Sequence, residues 1–201
     1  LRMSLTKHLV VFAKAPRLGT VKTRLAASIG PVTAWAFARY TLEAVVRPLA
    51  CDRRWGCWLA VTPDKSIFQR RQWPATHGLI TQGPGDLGKR MANVTECLAP
   101  GPVVIIGTDI PAIRPHHIAS AFQALGRHDA AFGPARDGGY WLVGLKRRPA
   151  FTDIFKKVRW STGNALADTI ANLKGGQSHA LLETLDDIDD AEAYGRWRKK
   201  T

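Results

Sequence analysis

Cysteine is scarce in this chain, with three among 201 residues. Cys51, Cys57 and Cys97 show no CxxC spacing and have no neighbouring histidine pair, so the sequence suggests neither a zinc centre nor a disulfide framework. That usage fits a reducing cytoplasm. Long apolar runs are also missing: residues 9–13 form one short run that Lys14 ends, and no later stretch approaches membrane-spanning length. Neither a signal peptide nor a membrane span is expected, and the expected location is cytoplasmic. No GxGxxG fingerprint is present, which removes support for nicotinamide or flavin chemistry, and there is no GxSxG of a serine hydrolase. A P-loop is absent too, because Thr20 and Val21 separate Gly19 from Lys22 where GxxxxGK[ST] needs glycine and lysine adjacent.

Negative charge is the next deficit. Asp and Glu number 16 against 29 Lys and Arg, a formal net charge of +13. Such a balance invites a nucleic-acid partner. The basic residues are spread, however, over Lys89-Arg90 and the stretches 146–148, 156–159 and 196–200, without the interleaved aromatics that stack bases. A small anionic partner explains the charge as well, and nucleic acid is not expected. With 45% hydrophobic residues the chain can bury a full core, and its length suits one domain spanning 1–201. The sequence does not specify an oligomeric state.

The richest stretch is VVFAKAPRLGTVKTRL, residues 10–25, where an apolar strand enters a turn bearing Lys14, Arg17, Lys22 and Arg24 around Gly19 and Thr23. A loop at the carboxyl edge of the first strand of an α/β sheet is where such sheets bind ligands, and cations followed by a helix start suit a phosphate. In VVIIGTDIP, Asp109 lies just past a second buried strand. Its oxygens suit Mg2+ or Mn2+, and helix capping is the structural alternative. LDDIDD alternates Asp187 and Asp189 around Ile188; if extended, the segment turns both carboxylates to one side, although Asp189 or Asp190 also suits the N-cap of a final helix. In GPARDGGYWLVGL, Asp137 could orient an acceptor or accept a proton, with Gly138 and Gly139 allowing close approach; a plain hairpin turn explains DGG almost as well. QGPGDLGKRM offers another loop before a helix, with Arg90 available to an anion; a loop with a normal helix cap is the structural alternative.

Periodicity predicts strands at 9–13, 58–62, 78–81, 103–106, 129–133, 140–145 and 181–185. Helices are predicted at 31–49, 65–71, 86–98, from Pro115 onward, at 163–173 and at 190–198. The alternation implies a three-layer α/β/α architecture whose mostly parallel sheet carries an antiparallel late strand.

Taken in order, FAKAPRLGTVKTRLA, QGPGDLGKRM, GTDIP, GPARDGGYWLVGL, WST and LDDID closely resemble an uncharacterised bacterial family of radical-SAM/selenodomain-associated transferases. That family is of glycosyltransferase-A type and similar to 2-phospholactate and molybdenum-cofactor guanylyltransferases. The resemblance implies a nucleotide-diphospho-sugar transferase fold, a nucleotide donor held by the first loop, and a divalent cation on Asp109. Asp187 and Asp189 would serve the metal or acceptor side. The chain departs from the usual DxDTPEDL ending, reading DIDDAEAY with Ala191 and Ala193 in place of the proline and last aspartate.

The expected activity is therefore a metal-dependent transfer from a nucleotide sugar or nucleoside triphosphate to a small-molecule acceptor. The expected catalytic set is Lys22, Arg24, Asp109 and Asp137; Lys14, Arg17, Gly19, Thr23 and Arg90 would bind nucleotide. Gly138 and Gly139 would face the acceptor, and Asp109, Asp187 and Asp189 would hold the metal. A noncatalytic nucleotide- or nucleic-acid-binding module, or a family member that has lost activity, is the rival reading.

Overall fold

A computed structural model describes residues 5–147 and 152–199. Its centre is a seven-stranded sheet built from β1 (His8–Lys14), β2 (Gly56–Thr62), β3 (Gly78–Thr81), β4 (Val103–Ile106), β5 (Ala130–Pro134), β6 (Tyr140–Leu145) and β7 (His179–Leu181), in the order β3-β2-β1-β4-β6-β5-β7. All pairings are parallel except those of β6, which runs antiparallel to β4 and β5. The expected antiparallel late strand is therefore β6, inserted between β4 and β5.

Helices α1 (Thr23–Ile29), α2 (Pro31–Ala50), α3 (Leu87–Cys97), α4 (Pro115–Ala124), α5 (Ala165–Ala171) and α6 (Ala191–Arg198) complete the chain. Alternation along β1 sets the layers. Leu9, Val11 and Ala13 pack on one face with Leu42, Val45 and Val46 of α2 and Ile118 and Phe122 of α4. Val10 and Phe12 face the other way, toward Met91 and Val94 of α3 and Leu166 and Ile170 of α5. Two sheet faces, each buried by helices, give the three layers.

A third cluster lies off the sheet, where Leu25 of α1, Ala34 and Phe37 of α2, and Tyr194 and Trp197 of α6 close around Ile188. Phe37 and Tyr194 meet edge to face with ring centroids 5.1 Å apart.

Three expectations change. The predicted helix at 65–71 is a pair of short 3₁₀ turns, Asp64–Phe68 and Arg70–Gln72. The predicted last strand at 181–185 begins earlier and is short; β7 ends at Leu181, after which only isolated bonds follow, from Leu182 N to Phe132 O and from Leu185 N to Pro134 O. Helix α5 spans Ala165–Ala171 rather than 163–173, because Gly163 and Asn164 lie in the preceding turn.

Gly88, in the first turn of α3, sits where a Cβ would come 2.7 Å from Trp160 Cζ2 and 2.8 Å from the Phe155 carbonyl oxygen. Alanine gains about 1 kcal/mol of helix propensity over glycine, whereas overpacking against fixed backbone costs about 1–3 kcal/mol. The clash wins because the carbonyl cannot rotate away. Gly88→Ala is expected to lower the urea midpoint by the equivalent of about 1 kcal/mol; an unchanged or raised midpoint would contradict this packing.

Candidate active site

β1 ends at Lys14, and the bonds that hold the following loop include Ala15 N to Thr62 O, Thr20 Oγ1 to Arg17 O, and Trp35 Nε1 to Pro16 O at 2.7 Å. Lys22 then adopts left-handed backbone angles, φ 49° and ψ 45°, immediately before α1. That conformation costs a residue with a Cβ roughly 1–2 kcal/mol, and here it accompanies a side chain directed inward. The Lys22 ammonium lies 2.6 Å from Asp109 Oδ1 and 2.7 Å from Asp189 Oδ1, and donates to the Ile188 carbonyl at 2.9 Å. Only 8% of its side chain is exposed, against 54% and 47% for the two aspartates. Burial alone would disfavour its charge, but Asp109 and then Asp189 outweigh that effect and raise its pKa above the ordinary value.

The two aspartates come from distant parts of the chain. Asp109 lies three residues past the end of β4 and does not cap α4, whose N-cap is Arg114. Its carbonyl accepts from Ile188 N at 3.2 Å, stitching the two segments together. Ile188 is buried between Asp187 and Asp189, as the alternating pattern requires, while Asp190 caps α6 by accepting from Ala193 N at 2.7 Å. Across from them Asp137 Oδ1 accepts from Gly139 N at 2.9 Å, and Arg136 pairs with Asp186 at 2.7 Å, tying the DGG turn to the LDDIDD segment.

Two clefts meet on this set. One, of about 400 Å³, is lined by Lys14, Thr20, Lys22, Thr23, Arg24, Thr62, Gln82 and Thr108. The other, of about 440 Å³, holds Asp137, Gly139 and Asp187 among Met91, Tyr140, Trp141 and Trp160. Phe12, Leu87, Asp109 and Asp189 line both.

Asp187 is pushed up to about 6, first by partial burial and then by the negative charges of Asp189, Asp137 and Asp109, with Lys22 opposing. The carboxylates thus carry more negative charge than Lys22 offsets. Paired hard oxygens beside an uncompensated carboxylate fit a divalent oxygen-seeking cation. His116, His117 and Glu183 form a second group close enough to share an ion. His117 Nδ1, however, already accepts from Arg114 N at 2.9 Å, so in the neutral ring Nε2 carries the proton and faces Glu183 at 3.4 Å. That leaves this histidine no lone pair for a metal.

Several expected site residues lie elsewhere. Arg90 bends back to the Gly85 carbonyl at 2.9 Å, because it follows the Asp86 cap by one turn of α3 and stays with its own loop. Arg17 turns outward to Gln69, at 3.2 Å. Gly19 serves the turn with φ +75° and lines neither cleft, and Gly138 is consumed by close approach to the Gly163 carbonyl. Lys22, expected as a cation for the leaving group, is instead engaged by two carboxylates. Sequence reasoning missed Phe12, Gln82, Tyr140 and Thr162, which line the clefts. Period-two alternation within β1 is the one signal that could have marked Phe12.

Residues 45–162 match the model of a bacterial family described as an uncharacterized conserved protein, DUF2064. The chain belongs to that family. No curated protein matches its sequence. A crystal structure from Desulfovibrio desulfuricans G20, provisionally described as a nucleotide-diphospho-sugar transferase, is similar with a TM-score of 0.83 and 26% identity over 92% of this chain and 84% of that one. CMP:2-keto-3-deoxy-manno-octonic acid synthetase complexed with CTP shares the fold at TM-score 0.60 and 10% identity, over 98% of both chains. Rv0371C of Mycobacterium tuberculosis H37Rv, in complex with manganese, does so at TM-score 0.52 and 15% identity, over 98% of this chain and 100% of that one. The chain thus has the fold of nucleotide-diphospho-sugar transferase-like structures, and the solved structures that share it include nucleotidyl and nucleotide-sugar transferases. No helix of the described residues is long and apolar enough to cross a membrane.

The raised pKa of Asp187 has a sign that stability measurements can check. Below about pH 4 the carboxyl is neutral whether folded or unfolded, and its penalty is absent. As pH rises through about 6 the folded state must ionise against its neighbours and loses stability. Asp187→Asn in metal-free protein is therefore expected to stabilise at pH 8 by on the order of 1 kcal/mol, after screening of a half-exposed group, with the gain gone at pH 4. Thermal melts at the two pH values test it, and equal gains at both would contradict the assignment.

Proposed function

We propose that this protein is a divalent-metal-dependent transferase that takes a nucleotide donor in the basic cleft and passes a group from it to an acceptor in the acidic cleft. The carrying observation is the meeting of the two clefts at Asp109 and Asp189. Lys14 and Arg24 line the donor side and suit the phosphates of a nucleoside diphosphate sugar or triphosphate, with Thr23 beside them. Asp109, Asp189 and Asp187 would hold Mg2+ or Mn2+, which when bound offsets charge developing on a diphosphate leaving group. Rv0371C, which shares the fold, binds manganese, and the CMP-sugar synthetase binds CTP.

Asp137 has the position of a proton acceptor. Its Oδ1 is fixed by Gly139 N, and Oδ2 accepts no hydrogen bond among the described residues. An acceptor hydroxyl attacking the transferred group would pass its proton to Asp137, while the diphosphate departs with the bonding electron pair into the basic cleft. The same residues accommodate glycosyl and nucleotidyl transfer, and kinship to the guanylyltransferases, inferred from motif order, belongs to this proposal. The protein is proposed to act as a single domain in the cytoplasm.

Nucleotides and nucleotide sugars screened by thermal melting should raise Tm by about 5 °C or more for the true donor near a hundredfold of Kd, and only with Mg2+ or Mn2+ present. Asp109→Ala should abolish the metal requirement together with the shift. A panel without any metal-linked shift would overturn the reading.

Lys22 occupies the oxygens that a cation would share, so the two compete. Lys22→Met should bind Mn2+ about tenfold more tightly than the parent when no nucleotide is present, read by calorimetry. Weaker binding would show that Lys22 supports the metal rather than standing in its place.

A further inference from the structure

We infer that the acidic cleft takes a small acceptor that is neutral or cationic and has an apolar or aromatic face, and that it excludes phosphorylated and carboxylated acceptors. The inference rests on the donor-and-acceptor reading above and names the acceptor's chemical class.

Among the described residues lining this cleft none is lysine, arginine or histidine, while Asp109, Asp137, Asp187 and Asp189 all line it. Lys22 touches two of these carboxylates but lines the basic cleft on the other side. Even with Lys22 and a bound divalent cation counted, the cleft keeps a net negative charge, and that cation would also be shared with the donor's diphosphate. An acceptor phosphate would enter with neither an arginine fork nor an ammonium to receive it, against several like charges in a site partly shielded from water. Phosphate-accepting transfer needs the opposite lining.

Apart from Ser161 and Thr162, the remaining lining is mostly apolar. Met91, Tyr140, Trp141, Trp160, Ile110 and Val143 belong to it, and Trp141 is fixed by donation from Nε1 to the Glu183 carbonyl at 3.0 Å. Aromatic faces beside carboxylates suit a ring bearing a hydroxyl or an amine, the amine gaining from both. A volume of about 440 Å³ sets the scale at a small molecule rather than a polymer. A neutral hydroxyl also matches a carboxylate positioned to take its proton.

The test uses matched fragment triplets in which one ring carries an aminoethyl, a hydroxyethyl or a carboxymethyl arm. Tyramine, 4-hydroxyphenylethanol and 4-hydroxyphenylacetate form one such set, and phenyl phosphate is added. Binding to the full chain with Mn2+ present is read by saturation-transfer NMR. Amine and hydroxyl members are expected to bind at least about tenfold more tightly than their anionic partners. Thr162→Lys, at the exposed rim of the same cleft, should narrow or reverse that ratio by a similar factor. Equal or tighter binding of the anions, no binding by any member, or an unchanged ranking in Thr162→Lys overturns the inference. Nucleotide-linked melting run alongside separates the two readings. Loss of the nucleotide shift with the charge ranking intact removes the transferase assignment, whereas an intact shift with the ranking lost removes only the acceptor class.

Discussion

A single ammonium group holds three remote segments together at this site. Lys22 belongs to the loop after β1, Asp109 to the end of β4, and Asp189 to the segment before α6, and they converge within 2.7 Å of one nitrogen. Desolvating a lysine is costly, so the arrangement persists only because two carboxylates and a carbonyl surround it. Removing any one of the three would leave a buried charge short of partners. The left-handed backbone at Lys22 belongs to the same constraint, since local strain is tolerated where surrounding contacts fix the conformation.

The ion pairs alone would not fix the geometry. Ile188 anchors the acidic segment from behind, seated in the cluster with Leu25, Ala34 and Phe37, so that its neighbours Asp187 and Asp189 project the opposite way. Apolar burial supplies the force and alternation supplies the direction. The Arg136–Asp186 pair and the Trp141–Glu183 hydrogen bond then tie the segment to β5 and β6. Partial burial of Asp187, and then the crowding of four carboxylates near one ammonium, are unfavourable in the resting protein, as the raised pKa of Asp187 registers. Carrying that cost at a cleft is the usual exchange of stability for a functional site.

The strands were legible wherever burial on both faces gave continuous apolar runs: β1 and β4 lie within a residue of their expected positions, and the three-layer order followed from their alternation with helices. Periodicity failed where local chemistry took over. Residues 64–72 have helical composition, yet Pro63 and the bond from Trp73 Nε1 to the Ser66 carbonyl draw them into 3₁₀ turns. Within the site, Asp109, Asp187 and Asp189 could be picked out because each sits at a strand end or in a strict alternation. The fate of the cations was hidden. Lys22, Arg17 and Arg90 have equal claims on paper, and the distinction between a buried bridge, an outward contact and a bond to its own loop depends on partners 5 to 167 residues away.

Departure from the DxDTPEDL pattern can be placed on the same terms. The replaced positions, Ala191 and Ala193, lie in the first turn of α6 rather than among the oxygens facing the clefts. A proline at Ala191 would pre-set the helical φ of the first position, so its loss removes pre-organisation, a small effect when the cap remains. The cap does remain: Asp190 accepts from the Ala193 amide, and Ala193 packs with Ile188 against α1 and α2. An aspartate at 193 would have to leave that apolar cluster or be buried in it. The alanines therefore exchange charge and rigidity at the helix start for apolar contact beneath Ile188, which leaves the carboxylates of Asp187 and Asp189 supported from below by packing instead of by sequence-encoded stiffness.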